Sequence, residues 1–342
     1  MSSFNWKSGV LSILLFLFLL FIPALFRNPY HLGVITFMLI NALLASSCWF
    51  IMATGQVTLG HAGFAAIGGY LSAALVARYG IGSWWSLLIA MMAAGIVALI
   101  IGYVTLRIKG IYFIVATLAL GEVIRIVFGA WDYPFGGLVG IMNLPPPNRL
   151  AIPGLWTISF GSKVSLYYLT LVLVLIGILL MHRLSRSAMG LVFRGICLAD
   201  DLAENTGINT MKYKVLAFVI GAIFAGMGGV LYTYNIGSIQ PSSFTLAQSA
   251  TYLVYVAVGG ETHVLGPILG ALVLNTLSEF LRPIKEFEPI VFALILISAV
   301  LFLENGLIGL AQTLQRRVLD FTAHILKGQG TTELPYHKNL NG

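Results

Sequence analysis

The sequence predicts an all-α, polytopic membrane protein of about ten spanning helices, with one further helix on the cytosolic side. Three observations carry this. Hydrophobic side chains make up 58% of the 342 residues and charged ones 9%, with a mean hydropathy of +0.94. Apolar runs of about 20 residues, the length that crosses a bilayer core of about 30 Å, recur along the chain. The strict polar/apolar alternation of a membrane barrel is absent, so backbone hydrogen bonds must close within helices.

Taken in order, the apolar runs fall at 10–26, 33–53, 59–79, 84–106, 111–130, 164–182, 215–234, 246–259, 264–281 and 289–310. The first resembles a signal peptide, but it is long and no small-residue cleavage site follows, so it reads as an uncleaved span. The eighth is short. With the N-terminus inside, the inner segments collect Lys7, Arg107, Lys109, Arg183, Arg186, Arg194, Lys212, Lys214, Arg316, Arg317, Lys327 and Lys338. The outer ones hold Arg27, Arg78, Arg149, Lys163, Arg282 and Lys285. Twelve against six satisfies the positive-inside rule and places both termini in the cytosol.

Residues 1–310 read as a single transmembrane domain, and 311–342 as a polar, partly disordered cytosolic tail. The 131–163 segment, punctuated by Gly and Pro, reads as an irregular external loop too short for a core of its own. The net charge of +7 is spread over loops, so it determines topology and implies no nucleic-acid partner. None of the eight lysines follows a glycine, so no G-x-x-x-x-G-K-[ST] phosphate loop is present and no ATP hydrolysis by that motif is expected. Cys48 and Cys197 lie far apart with no metal-ligand spacing around them, so neither a disulfide nor a metal site is expected.

Four features stand out as candidates. Small residues recur at four-residue spacing in two spans, Ala65, Gly69, Ala73 and Ala77, and Ala217, Gly221, Ala225 and Gly229, which predicts close helix packing. Two glycine-rich interruptions, 55–64 and 259–267, bring polar pairs (Gln56 and His61; Glu261 and His263) to junctions between apolar runs. They read equally as broken helices lining a cavity or as short cytosolic turns. Glu122 and Arg125 stand at i and i+3 inside the fifth span, which predicts a neutralising ion pair. Finally, 183–214 is a long charged connection in which Asp200, Asp201 and Glu204 share one helical face and Gly207 is placed to end that helix in a left-handed turn. So long a link predicts a docking surface for a soluble partner.

Four ordered blocks, at 55–70, 106–125, 190–218 and 256–274, resemble the permease family of high-affinity branched-chain amino acid ABC importers, of the LivM type. The resemblance runs from about residue 33 to 310. It implies a heterodimer with a sister permease, two cytosolic ATPase subunits that use ATP and Mg, and a periplasmic or extracellular substrate-binding protein delivering a small molecule. This chain would bind no cofactor and sit in a bacterial or archaeal inner membrane. By the same resemblance 190–214 is the ATPase-coupling segment, with Arg194, Asp200, Asp201, Glu204, Gly207 and Lys212 as its working residues. Gln56, His61, Tyr112, Thr117, Glu122, Arg125, Glu261 and His263 are the translocation-path candidates. Phe135 precedes Gly136 and Gly137 where the family has a threonine, which leaves the cargo open between branched-chain amino acids and urea or short amides. An autonomous channel or ion-coupled carrier would call for uncompensated intramembrane carboxylates.

Overall fold

A proline at the first helical turn and an asparagine before it set the entry to the bundle. Pro29 lacks an N–H that a helix start would leave idle, and the Asn28 side chain accepts the Tyr30 N–H at 3.0 Å. In this computed structural model, which describes residues 19–25, 28–152, 156–282, 287, 290–291, 293–295, 297–298 and 306–309, they open α1 (Pro29–Met52). There follow α2 (His61–Ala77), α3 (Ser83–Thr105) and α4 (Ile111–Ala130). A small antiparallel hairpin, β1 (Leu150–Ile152) with β2 (Trp156–Ile158), pairs Leu150 with Ile158. Beyond it come α5 (Lys163–Ser185), α6 (Ala188–Leu198), α7 (Asp200–Asn205), α8 (Thr210–Ile236), α9 (Leu246–Gly259) and α10 (Leu265–Leu281). Among the described residues, α1, α3, α4, α5 and α8 are long and apolar enough to cross a membrane, and α2 and α10 are shorter apolar helices. The protein is a polytopic helical membrane protein.

The centre of the bundle is α8, packed against α1, α2 and α3. Glycine makes this possible. A Cβ at Gly229 would lie 1.9 Å from the Ala65 carbonyl oxygen, and one at Gly68 would lie 2.2 Å from that of Gly226. Gly221 faces Ile51 and Ser47 of α1 instead. The small-residue spacing therefore serves packing within the subunit, where lipid supplies no hydrophobic drive for association.

The ends of the helices alternate as the charge pattern requires. Trp49, at the end of α1, donates to the Glu261 carbonyl before α10 (2.6 Å), and Lys109, between α3 and α4, pairs with α7. The opposite end joins Lys163 to the Asn235 carbonyl (2.6 Å) and Tyr30 to Glu279. Arg107, Lys109, Arg183, Arg186, Arg194, Lys212 and Lys214 gather at the first of these ends.

Several expected boundaries are corrected. The charged connection contains two helices, α6 and α7, broken at Ala199 (φ −158°, ψ 88°). The helix α8 begins at Thr210, so Lys212 and Lys214 sit in its first turns. Asn209 caps it by accepting the Lys212 N–H at 3.0 Å. The external segment is less irregular than its composition implies, because it carries the hairpin and an Ile141–Ile239 bridge to the segment that follows α8. The first span falls mostly, the last in half, and the 311–342 tail wholly, outside the described residues.

Candidate functional site

The sequence-predicted site residues divide among three places. The first is the corner formed by α6 and α7, where the sequence leads one to expect a docking surface. Gly190, Phe193 and Ile196 bury one face of α6, so Leu191 and Leu198 point outward, 66% and 87% exposed. Arg194 is exposed and donates from Nη2 to the Ser185 carbonyl at 3.0 Å, satisfying an orphan acceptor in the last turn of α5. After the break, α7 ends in a Schellman motif. The Gly207 N–H donates to Glu204 (2.9 Å) and the Ile208 N–H to Ala203 (3.2 Å). Gly207 has φ +87°, a conformation cheap only for glycine.

The three acids do not share a role. Asp200 turns inward, accepting from Lys214 Nζ at 2.5 Å, with Lys109 Nζ at 3.6 Å. Asp201 takes the outer side of Lys109 at 2.9 Å, and Glu204 is exposed. The expectation that all three present one face to a partner is corrected here. Lys214 is buried and must be neutralised, and Asp200 is the carboxylate within reach. The outward surface is Asp201, Glu204, Leu198 and Leu202, with Lys212 exposed beside it.

Burial alone would raise the Asp200 carboxyl, but the Lys214 hydrogen bond and the charges on Lys214 and Lys109 outweigh it and hold it below its ordinary value. A depressed acid contributes stability that is complete above its unfolded value, near 3.9, and that is lost as pH falls through the lower folded value. Amide exchange at 200–207 is therefore expected to stay protected at neutral pH and to open only in acid. In Lys214→Met the opening should move to higher pH, and identical profiles for the two proteins would refute this lock.

The second place is the strap 53–60 between α1 and α2, which is not helical. At one end Gly55 (φ +78°) packs on α6, where a Cβ would lie 3.4 Å from Cys197 Cα. At the other, Gly60 lies against α4 so closely that a Cβ would come 2.4 Å from the Thr117 carbonyl oxygen. The freed donors find side chains: Leu59 N–H to Thr117 Oγ1 and Gly60 N–H to Thr58 Oγ1, both 3.2 Å. Such satisfaction is what an unwound segment inside a membrane bundle needs. Thr117 is thus an anchor of the strap, and Gln56 is half-buried within it. His61 opens α2 fully buried, its Nε2 2.8 Å from Ser47 Oγ and its ring edge-on to Tyr252.

The third place is the free side of α4. Only Phe113, Thr117 and Phe128 of this helix are buried, while Tyr112 is 73% exposed. Arg125 donates to Glu122 through both Nε (2.8 Å) and Nη2, and both residues are half-buried. Glu261 and His263 belong elsewhere, in the turn before α10. Glu261 is exposed, and His263 is half-buried with its Nδ1 accepting the Leu265 N–H at 3.3 Å. Within one chain Thr117 meets the strap that carries Gln56 and leads into His61, and Glu122 meets Arg125, whereas Glu261 and His263 lie on a separate turn.

The family model described as "Branched-chain amino acid transport system / permease component" matches residues 30–303. The chain belongs to that family. Among permeases of this kind, it is 31% identical over 276 residues to the high-affinity branched-chain amino acid transport system permease protein LivM of Escherichia coli (strain K12), which covers 76% of this chain and 65% of that protein. The LivM protein of Salmonella typhimurium (strain LT2) is 30% identical over the same shares. The guanosine ABC transporter permease protein NupQ of Bacillus subtilis (strain 168) is 24% identical over 69% of this chain and 76% of its own length. The match thus spans less than two thirds of either LivM protein. No solved structure matches the chain. The family match contains α1 to α10, the strap and the docking corner. The sequence pattern alone did not single out Leu198 and Leu202, whose exposure beside Asp201 is foreshadowed only by two leucines four apart in a charged stretch. Nor did it single out Lys109, which joins the corner from a different loop.

Proposed function

We propose that this chain is the transmembrane permease subunit of an ABC importer for branched-chain or related amino acids, a non-catalytic wall of the path driven by separate ATPases. The observation that carries this is the docking corner: a rigid, outward-facing surface of Leu198, Asp201, Leu202 and Glu204 at the basic end of a membrane bundle, in a chain of this permease family with no phosphate loop of its own. Two ATPase subunits using ATP and Mg dock there, which makes the basic end cytosolic in an inner membrane. A binding protein delivers the cargo at the other end. The free side of α4 supports a sister permease, because a charged pair on a helix with so little of its own surface covered is expensive against lipid and is relieved by protein or an aqueous path. In that heterodimer Tyr112, Glu122 and Arg125 line the path.

A second cargo class, nucleosides or short amides, has one observation in its favour besides the NupQ likeness. Phe135 stands where the family has threonine, and it joins Tyr70, Phe128 and Trp131 in an aromatic cluster at the outer end of α4.

Liposomes carrying this chain alone are expected to show no concentrative uptake of leucine. Uptake should appear with ATP once the sister permease, the ATPases and the binding protein are added, and uptake by the single chain would sink the importer reading. Gly207→Val tests the corner itself. A Cβ there meets nothing within 4 Å, so the strain is purely conformational, roughly 1–2 kcal/mol for an L-residue in the left-handed region. Substrate-stimulated ATP hydrolysis should fall about tenfold while the bundle still accumulates. Wild-type coupling in this variant would misplace the docking surface.

A further inference from the structure

A cavity of about 380 Å³ opens at the basic end. Its walls come from the end of α1, the last turn of α5, α6 and the 261–264 turn, and none comes from α2, α3 or α4. Arg186 and Arg194 stand in its lining, and so does Glu261. Among the described residues no ion pair within 4 Å joins either arginine to that carboxylate, whereas Lys109 and Lys214 at the same end close onto their acids.

The separation is built in. Arg194 is tied by Nη2 to the Ser185 carbonyl (3.0 Å), and the Glu261 main chain is tied through its carbonyl to Trp49 Nε1 (2.6 Å), so one guanidinium is held in the lining while the exposed Glu261 carboxylate extends from an anchored turn. His263 completes the set. Burial, and then the charges of Arg186 and Arg194, push its imidazole below the ordinary value, so it is neutral near pH 7. With Nδ1 accepting from Leu265, the proton lies on Nε2 as a donor. Trp49, Met52 and Val264 supply apolar wall.

We infer that this cavity is an accessory binding site for an aliphatic α-amino acid, its carboxylate held by Arg186, Arg194 and His263, its ammonium by Glu261, and its side chain by Trp49 and Met52. A lone anion would leave Glu261 facing the wrong charge, and a lone amine would face two guanidiniums; a zwitterion satisfies both ends at once. The volume is that of a small-molecule site. The inference rests on the amino-acid reading of the cargo and extends it, since the site lies off the α4 path, at the end where imported product would accumulate. Cys197 of α6 lines the cavity and packs on Gly55, so an occupant braces the docking corner against the strap. Product would thereby slow its own import.

The molecule carries its own reporter. Cys48 is buried and Cys197 exposed, and the sequence has two cysteines, so maleimide labelling of this chain in the importer assembled in nanodiscs reads Cys197. Leucine should slow that labelling at least threefold in a saturable way. Neither 4-methylpentanoate, 3-methylbutylamine nor inorganic phosphate should do so. The leucine effect should vanish in Glu261→Gln and in Arg186→Gln, both of which change exposed side chains. Equal protection by phosphate or by 4-methylpentanoate would make this a plain anion site and overturn the inference, as would unchanged labelling with leucine. Leucine uptake by the same importer in liposomes separates the two readings. Uptake without protection sinks the accessory site alone, and protection without uptake supports the site and counts against the transport reading alone.

Discussion

Gly229→Val is expected to remove most folded protein from the membrane, while Gly195→Ala leaves it untouched. The α2–α8 contact is backbone on backbone. A Cβ at Gly229 would sit 1.9 Å from the Ala65 carbonyl oxygen and 2.7 Å from its carbon, so no rotamer change relieves the overlap and the helices must part. Overpacking generally costs about 1–3 kcal/mol, and here the two branched methyls add to a clash already at the backbone. The loss should therefore reach the top of that range, against a typical total stability of about 5–15 kcal/mol. A methyl added at Gly195 on α6 would meet nothing within 4 Å, and alanine is the better helix former there by roughly 0.5–1 kcal/mol. Folded yield and thermal midpoint by size-exclusion chromatography check both. Normal yield of Gly229→Val would mean that α2 and α8 do not touch as described.

The second large effect is expected at the α4 ion pair, where the single and double variants should rank in an unusual order. Glu122→Gln leaves Arg125 charged within a spanning helix, at a cost of up to roughly 3 kcal/mol, or about a hundredfold in an equilibrium constant. Changing Arg125→Gln as well removes the stranded charge, so the double variant should recover folded yield above the single one. Uptake measured on the assembled importer then separates two roles. If the pair only neutralises itself, uptake per folded molecule in the double variant approaches wild type. A double variant that folds but transports far worse than either single would give Glu122 or Arg125 direct contact with the cargo.

The spanning helices were legible because burial and lipid both select long apolar runs, and the run at 84–106 overlaps α3 (Ser83–Thr105) almost end to end. Legibility failed where partners lie far away in sequence. Lys214 reads as a solvated loop residue until Asp200 neutralises it, and only then can α8 start at Thr210 inside the charged stretch. His61 reads as a polar residue in search of a cavity, yet Ser47 on the preceding helix encloses it. The helix α6 was hidden because its buried face is only Gly190, Phe193 and Ile196, one narrow stripe in a segment whose charge dominates the composition. The anchoring of Arg194 and Glu261 could not be read at all, since Arg194 is tied to the Ser185 carbonyl and the Glu261 carbonyl to the Trp49 side chain, each on another element.

The strap has a mechanical consequence. Eight residues wound as helix would advance about 12 Å, but unwound they can reach about 29 Å at most. The strap links α6, through Gly55, to α4, through Gly60. Both ends are clamped by contacts too close for any side chain or too curved for one, and Thr58 between them is buried. A tie of this kind transmits a pull and yields to a push. In the importer proposed above, a pull on the α6–α7 corner would reach α4 through this strap, and the return stroke would come from elsewhere in the assembly.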